Sequence, residues 1–282
     1  MKLKGLIGAL KAGLRISLYR LRGDPPLVTV IITSYNHGHF LAKAIDSVLN
    51  QEWGPRSTLE NYKNPVEIVV VDDGSTDHTR QVAESYPGLR YVYQKNRGLS
   101  AARNRGIRAS RGRLLLFLDA DDWLYPNALG IGVYLMDHHP DVAFVSGGHD
   151  KVDSEGNILS TVSRNVEGDH YQRFLEGNYI GMHAAVLYRK KVFRTVRFDP
   201  KLKAGEDYDV YLRITRQHPV LHHSDRVAAY RMHQSNMSAD REMMLRTVLA
   251  VLSAQEPFLK SEAERAAFRQ GQTAWTDYYR GR

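Results

Sequence analysis

Four short apolar segments, separated by stretches of helical periodicity, dominate the first half of the chain. The segments span residues 27–33, 66–71, 89–93 and 113–118, and the helical stretches lie at 40–49, 77–85 and 100–109. Apolar runs of this length that are bounded by turn residues predict buried strands. Strands that alternate with helices predict a mostly parallel, doubly wound sheet. We therefore expect an α/β fold in which helices flank this sheet.

The second half has a looser pattern. It predicts helices at 126–138 and 206–217, strands at 142–146, 184–188 and 220–231, and a helical region from 242 to the end. Three aromatic residues, Trp275, Tyr278 and Tyr279, lie near the end of that region. The pattern leaves open whether this tail packs on the core, contacts a membrane or mediates dimerisation.

The composition limits the available chemistry. The 282 residues, of which 43% are hydrophobic, suffice for one large domain with appendages. The chain has no cysteine, which excludes disulfides, thiolate zinc sites and cysteine nucleophiles. The formal net charge of +8 favours anionic partners such as nucleotides or anionic lipid.

The first 22 residues have the pattern of a basic amphipathic helix. Apolar residues recur at three- and four-residue steps, at Leu3, Leu6, Ile7, Leu10, Leu14, Leu18 and Leu21. Basic residues lie between them, at Lys2, Lys4, Lys11, Arg15, Arg20 and Arg22. This pattern favours a helix on an anionic membrane surface, and the alternative is a helix that packs its leucines on the protein. No apolar stretch reaches the ~20 residues that a membrane-spanning helix needs.

Polar side chains follow three of the four predicted strands. The three segments are Thr33-Ser34-Tyr35-Asn36, Asp72-Asp73-Gly74-Ser75 and Asp119-Ala120-Asp121-Asp122. In a doubly wound sheet the ligand crevice lies beyond the carboxyl ends of the strands. The three segments are therefore expected to form one polar site along one edge of the sheet.

The carboxylates at 119–122 suggest a bound cation. Asp119 and Asp121 are two positions apart, so their side chains project the same way from an extended strand end. Like charges this close raise one another's pKa, and Mg²⁺ or Mn²⁺ would relieve the repulsion, since both prefer oxygen ligands. Asp122 is expected instead to cap the next helix. A cation here would hold a phosphorylated substrate, which points to an enzyme that uses a nucleotide or a nucleotide sugar.

For each of the other candidate site residues, a purely structural role is an alternative to a functional one. An aspartate of the 72–77 turn could accept a hydrogen bond from a base or a ribose. Arg103 could reach a diphosphate, or could form a structural ion pair. Acids at 206–209 would be favoured at a helix N-terminus without any function. His233 could bind a metal or a phosphate, although the chain has 12 histidines.

Together, six motifs resemble those of the inverting family 2 glycosyltransferases with a GT-A fold, and they occur in the family's order over about 28–238. They are Thr33-Ser34-Tyr35-Asn36, the acidic turn at 71–77, Asn96-Arg97-Gly98 with Ala102-Arg103-Asn104, the Asp119-Ala120-Asp121 DxD motif, Glu206-Asp207, and the segment 230–238.

The resemblance implies roles for individual residues. The nucleotide would be bound by Thr33, Tyr35, Asp72, Asp73, Arg103 and Asp119. Asp121 and His233 would hold Mn²⁺ or Mg²⁺, and Asp207 would be the general base. Three further motif residues, Asn36, Glu206 and Arg231, are candidates without an assigned role.

The resemblance also implies an activity. The chain would transfer a sugar with inversion from a nucleotide sugar to a hydroxyl of a glycan or lipid-linked acceptor in cell-envelope polysaccharide biosynthesis. The resemblance to the family favours a UDP-linked donor. The domain would span 25–239, with a nucleotide-binding half at 25–123 and an acceptor-side half at 124–239, between the helix at 1–24 and a helical extension at 240–282. The enzyme would lie in the cytoplasm, peripheral to the inner face of the membrane, with no nucleic-acid partner and with its oligomeric state open.

Two rival functions remain. A nucleotidyltransferase on a similar sheet usually has a first loop rich in glycine and basic residues, and the segment 33–38 lacks the basic run. A non-catalytic basic module would explain the net charge and the N-terminal helix. It would not explain the acidic strand ends, which repel phosphate unless a metal is present.

Overall fold

The structure is a computed structural model that describes residues 25–53, 65–233 and 240–281. The predicted basic helix at 1–24 lies outside the described residues. So do residues 54–64 of the predicted loop at 52–65, and residues 234–238 of the last motif.

The first half forms four parallel strands. These are β1 (Val28–Ser34), β2 (Val66–Asp72), β3 (Arg90–Tyr93) and β4 (Leu114–Asp119), in the spatial order β3-β2-β1-β4. Every residue of β1 is buried, as expected for a central strand of a parallel sheet with helices on both faces. The intervening helices are α1 (Gly38–Leu49), α2 (Thr79–Glu84) and α3 (Leu99–Ala109).

The second half extends the same sheet with mixed pairing. Its strands are β5 (Trp123–Leu124), β6 (Phe144–Val152), β7 (Ile158–Val162), β8 (Val186–Arg189) and β9 (Leu221–Arg231). β8 pairs antiparallel with β4 and β6, whereas β9 runs parallel to β6. β5 and β7 add antiparallel pairs to β9 and β6. The α/β class is confirmed; the parallel pairing that the pattern predicts holds throughout β1–β4, and the sheet is mixed beyond β4.

Five helices belong to the second half within the described residues. They are α4 (Ala128–His138), α5 (His170–Glu176), α6 (Glu206–Thr215), α7 (Arg241–Ser253) and α8 (Glu262–Arg280). The helical region predicted from 242 onward thus consists of two helices, which a short 3₁₀ turn at Glu256–Phe258 separates. No helix among the described residues is both long enough and apolar enough to cross a bilayer.

The C-terminal helix α8 packs closely against α5. Ala267, Phe268 and Gly271 are its buried residues. A β-carbon placed on Gly271 would lie 1.9 Å from the carbonyl oxygen of Leu175. The two helices can therefore approach this closely only because position 271 has no side chain.

Candidate active site

The carboxyl ends of β1, β2 and β4 meet at one edge of the sheet, as the sequence predicts. Thr33 lies opposite Asp119 across the β1–β4 pair, and Ser34 lies opposite Asp72 across the β1–β2 pair. The Thr33 hydroxyl donates a hydrogen bond of 2.6 Å to Oδ1 of Asp119. A cleft with a volume of about 1630 Å³ opens above this edge.

The loop after β1 interlocks with the turn after β2. Asn36 has a left-handed backbone (φ 56°), a conformation that asparagine tolerates better than most residues. Its N–H donates to the Ser75 hydroxyl at 2.9 Å, and its side-chain oxygen accepts from the N–H of Thr76 at 2.8 Å. Tyr35 lines the cleft with 49% of its surface exposed. Asn36 thus fixes the backbone that presents the Tyr35 ring.

The first two acids of the acidic turn, Asp72 and Asp73, are buried and hydrogen-bonded within the protein. Asp72 accepts from the Tyr91 hydroxyl at 2.6 Å and from the N–H of Ser75 at 2.8 Å. Asp73 lines the cleft, and it accepts from the N–H groups of Arg97 and Gly98 at 2.9 and 2.8 Å. Since Gly98 immediately precedes α3, Asp73 anchors the start of that helix.

Arg103 of α3 connects the two halves of the cleft. Its guanidinium donates to both oxygens of Asp119 at 3.1 and 3.0 Å, and to Oε1 of Glu206. Only 2% of the residue is exposed. Burial opposes its charge, but the carboxylates of Asp119, Glu206 and Asp207 outweigh that effect and hold the pKa of Arg103 above its ordinary value. Of the two roles that the sequence left open, the structure shows the ion pair, made with acids of the site itself.

Asp121, which lines the cleft, contacts His233. Nε2 of His233 lies 2.8 Å from Oδ2 of Asp121, and both side chains are largely buried. The His233 ring stacks on Phe40 of α1, with ring centroids 5.7 Å apart. A carboxylate oxygen and an imidazole nitrogen therefore converge on one point, although 112 positions separate them in the sequence.

Asp122 does not cap the following helix, so that prediction is wrong. α4 begins at Ala128 after Asn127, whereas Asp122 is buried and accepts the N–H of Arg231 at 2.9 Å. Burial, with the neighbouring Asp121 and Asp119, raises the pKa of Asp122 well above its ordinary value. Arg231 also donates through Nε to the carbonyl of Asp121 at 3.0 Å. Arg231 and Asp122 thus fix the backbone on which Asp121 and His233 lie.

Glu206 and Asp207 form the first turn of α6 at the opposite side of Arg103. Gly205 precedes them with a left-handed backbone (φ 66°). The N–H of Tyr208 donates to Oδ1 of Asp207 at 2.7 Å. Burial, and then the adjacent Glu206 carboxylate, raises the pKa of Asp207 to about 7 against the opposing effect of Arg103. A carboxylate with this pKa in a cleft is well suited to accept a proton near neutral pH.

Asp121 and His233 fit a hard divalent cation in the type and convergence of their donor atoms. Oxygen and imidazole nitrogen ligands suit Mn²⁺, and Mg²⁺ sites commonly combine one or two carboxylates with phosphate oxygens and water. Among the residues that the structure describes, no group of three or more His, Asp or Glu side chains is arranged to hold a metal ion. Asp121 and His233 would supply two of the ligands.

The far wall of the cleft includes residues that lie outside the six sequence motifs. It comes from α7 and α8, with Arg241, Met244, Val248, Ala274, Trp275, Tyr278 and Tyr279. Two buried histidines, His149 and His183, also line the cleft. No local pattern distinguishes them from the other histidines of the chain.

The chain matches the family model described as Glycosyl transferase family 2 over residues 29–197. It is 28% identical over 202 residues to a chondroitin synthase of Escherichia coli, an alignment that covers 70% of this chain and 28% of that protein. It is 33% identical over 205 residues to an uncharacterized glycosyltransferase of Rickettsia conorii, an alignment that covers 69% of this chain and 32% of that protein. It is 27% identical over 188 residues to the putative glycosyltransferase EpsH of Bacillus subtilis, an alignment that covers 64% of this chain and 52% of that protein. The chain thus spans about half or less of the length of these relatives.

Solved structures share the fold. TarS of Staphylococcus aureus in complex with UDP-GlcNAc superimposes with a TM-score of 0.66 at 18% identity, covering 87% of this chain and 71% of that one. Mannosyltransferase PcManGT from Pyrobaculum calidifontis, in complex with GDP-Man and Mn²⁺, gives a TM-score of 0.61 at 18% identity, covering 97% and 78%. These likenesses confirm the GT-A-like architecture.

Proposed function

Because this chain belongs to glycosyltransferase family 2, we propose that its cleft transfers a sugar from a nucleotide sugar to an acceptor hydroxyl with inversion of the anomeric configuration. The observation that carries the proposal is the position of Asp207. This acid, whose pKa is raised to about 7, lines the same cleft as Asp119 and Asp121. A proton acceptor and the polar strand ends therefore line the same cleft.

Asp207 removes the proton of the attacking hydroxyl. As that oxygen bonds to the anomeric carbon, the bond from this carbon to the nucleoside diphosphate breaks, and the diphosphate leaves with the bonding electrons. A single displacement of this kind inverts the configuration and needs no carboxylate nucleophile. A well-placed general base typically contributes about 10²–10⁴-fold to the rate.

The other residues of the site bind and orient the donor. Tyr35 offers an exposed ring at the mouth of the cleft, where a base could stack. Thr33 and Arg103 hold Asp119 by hydrogen bonds, which orients its carboxylate toward the donor ribose or sugar. Asp72 and Asp73 support the adjoining turn, and Asp73, which lines the cleft, is the better placed of the two to contact a base.

Asp121 and His233 would hold Mn²⁺ or Mg²⁺. Such an ion, when bound, neutralises charge that develops on the leaving diphosphate. Their hydrogen-bonded contact at 2.8 Å keeps the two ligating groups together before an ion binds. Arg231 keeps Asp121 in place through its carbonyl.

For the substrates, we infer a UDP-sugar donor and a glycan or lipid-linked acceptor used in cell-envelope polysaccharide biosynthesis. The UDP-GlcNAc complex of TarS supports the donor, and the chondroitin synthase and EpsH relatives support a carbohydrate product. The basic pattern of residues 1–22 supports peripheral attachment to the inner face of an anionic membrane.

The test is a donor screen on the full chain. UDP-, GDP- and dTDP-sugars are incubated with Mn²⁺, and release of nucleoside diphosphate is measured with and without oligosaccharide acceptors. We expect release with one class of donor, its loss in Asp207→Asn, and a product of inverted configuration by NMR. Formation of a nucleoside triphosphate and a sugar 1-phosphate after pyrophosphate is added to the same donors would instead identify a nucleotidyltransferase, and no turnover or binding of any donor would refute the proposal.

A further inference from the structure

Three aromatic residues of α8 form an aromatic wall of the cleft: Trp275, Tyr278 and Tyr279. Tyr278 and Tyr279 follow Trp275 by three and four positions, a spacing that brings each of them to the same face of the helix as Trp275. The Trp275 and Tyr279 rings stack with centroids 5.8 Å apart, and Tyr278 meets both edge-on at 6.1 and 4.9 Å. All three line the cleft, and Tyr278 has 60% of its surface exposed.

Contacts with the core hold this aromatic wall in place. The Trp275 indole N–H lies 3.4 Å from the Tyr208 hydroxyl, to which it donates, and that hydroxyl donates to the carbonyl of Phe174. Arg241 of α7 donates to the backbone carbonyls of Tyr278 and Tyr279. The wall therefore needs little ordering when a ligand binds, which reduces the entropic cost of binding.

The aromatic wall lies next to the proposed base. Tyr208, on which Trp275 packs with ring centroids 5.7 Å apart, directly follows Asp207 in α6. Asp207 lines the same cleft as the three aromatic residues. Burial first, with Tyr278 and Asp207 contributing, raises the pKa of Tyr279 to about 12. A ligand on the wall would therefore share the cleft with the Asp207 carboxylate.

A pyranose ring matches this environment. One face of such a ring presents C–H groups, which pack on flat aromatic surfaces, while the hydroxyls around its rim can reach polar groups. A lipid chain fits poorly, because burying the adjacent Asp207 carboxylate against hydrocarbon is costly. The combination of aromatic rings that line the cleft with a carboxylate in the same cleft favours a carbohydrate.

We propose that the aromatic wall is the binding site for the terminal pyranose of the acceptor. The sugar packs on Trp275 and Tyr278, so that one of its hydroxyls is presented to Asp207. The inference rests on the proposed function, because it assumes that the donor binds at the strand ends on the other side of Arg103. It assigns acceptor recognition to residues beyond the stretch that matches the family model, which ends at residue 197.

The test measures acceptor binding without requiring turnover. The full chain is saturated with UDP and Mn²⁺, and cellobiose, lactose, maltose and chitobiose are titrated by ligand-observed NMR. We expect at least one disaccharide to bind, with affinity about 10-fold weaker in Trp275→Ala and about 3–10-fold weaker in Tyr278→Ala. Trp275→Phe and Tyr278→Phe should stay within about 3-fold of the wild type, since they retain a ring. UDP affinity should be unchanged in all four variants.

Phe258→Ala is the matched control, because Phe258 is an exposed aromatic residue of the same C-terminal region (47% exposed) that does not line the cleft. It should bind the disaccharide like the wild type. Tyr278→Ala keeps the test valid even if Trp275→Ala fails to fold, because the Tyr278 side chain is mostly exposed.

Three outcomes overturn the inference: no disaccharide binds, the alanine variants bind as well as the wild type, or Phe258→Ala weakens binding equally. Co-sedimentation with phosphatidylcholine–phosphatidylglycerol vesicles tests the lipid alternative. Weaker vesicle binding by Tyr278→Ala with unchanged sugar binding would reassign the wall to a membrane. Failure of the wild type to bind UDP would count against the proposed function rather than against the wall.

Discussion

Arg103 donates a hydrogen bond to Glu206, although 103 positions separate the two residues in the sequence. The same guanidinium contacts Asp119 at the end of β4. One buried cation thus connects the strand ends to the first turn of α6, where Asp207 lies. This buried contact joins the two sides of the cleft.

Asp207→Asn should lower the transfer rate by about 10²–10⁴-fold, since asparagine cannot accept the proton. Steady-state assays give the rate, and titration with UDP should show donor affinity close to the wild type. Asp209→Asn is the control, because Asp209 pairs with Arg213 on the same helix and should retain transfer. Comparable turnover by Asp207→Asn would remove Asp207 as the base.

Transfer should depend on pH through Asp207. The raised pKa of about 7 means that the carboxylate is deprotonated, and active as a base, only above this value. kcat/KM should therefore fall about tenfold per pH unit as the pH decreases below about 7, and should level off above it. A rate that stays constant down to pH 5 would contradict this assignment.

Arg103→Gln should destabilise the fold by about 3–5 kcal/mol, because it leaves the Asp119 and Glu206 carboxylates without their buried partner. Chemical denaturation measures the change. Arg80→Gln removes an exposed pair with Glu84 and should leave the denaturation midpoint unchanged. Arg103→Lys should not restore stability, since an ammonium cannot replace the planar guanidinium in contacts with two carboxylates.

Metal-dependent donor binding should require both Asp121 and His233. Asp121→Ala and His233→Ala are each expected to weaken UDP binding in Mn²⁺ by about tenfold or more, and EDTA should weaken wild-type binding similarly. His138→Ala, at the end of α4 and away from the cleft, is the control. Donor affinity that responds neither to EDTA nor to these variants would exclude the metal role.

Gly271→Ala should displace α8 from α5, because a β-carbon would lie 1.9 Å from the Leu175 carbonyl oxygen. Overpacking of this kind typically costs about 1–3 kcal/mol. Thermal unfolding gives the stability, and the disaccharide titration should show weaker binding, since the aromatic wall moves with α8. Gln272→Ala, at the next position, should alter neither the thermal stability nor the disaccharide affinity. A Gly271→Ala protein with wild-type stability would mean that α8 can shift without cost.

The strand–helix order and the polar strand ends were predictable, because periodicity and turn residues are local signals. The sequence alone places Thr33 and Asp119 at one edge of the sheet, because each lies at the end of a predicted strand. The mixed pairing of β6, β8 and β9 could not be predicted, because those strands carry no local indication of their neighbours.

The side-chain links between distant segments were also beyond the sequence. Arg103 could equally have bound a diphosphate, and only the fold, which brings the first turn of α6 to its guanidinium, pairs it with Glu206. Asp122 looked like a helix cap because the next helix is near in sequence, yet the backbone of Arg231 competes successfully for its carboxylate. Trp275 and Tyr278 had no assigned role, since their neighbour Tyr208 lies far from them in the chain.

The Arg103–Glu206 contact has a consequence for protein engineering. The strand ends that would bind the donor precede residue 123, whereas the aromatic wall follows residue 240. A chimera joined after Asp207 would therefore inherit the strand ends and the Arg103–Glu206 pair from one parent, and Arg231, His233 and the aromatic wall from the other. A junction placed between Arg103 and Glu206 would preserve that pair only if the second parent has an acid at the position of Glu206.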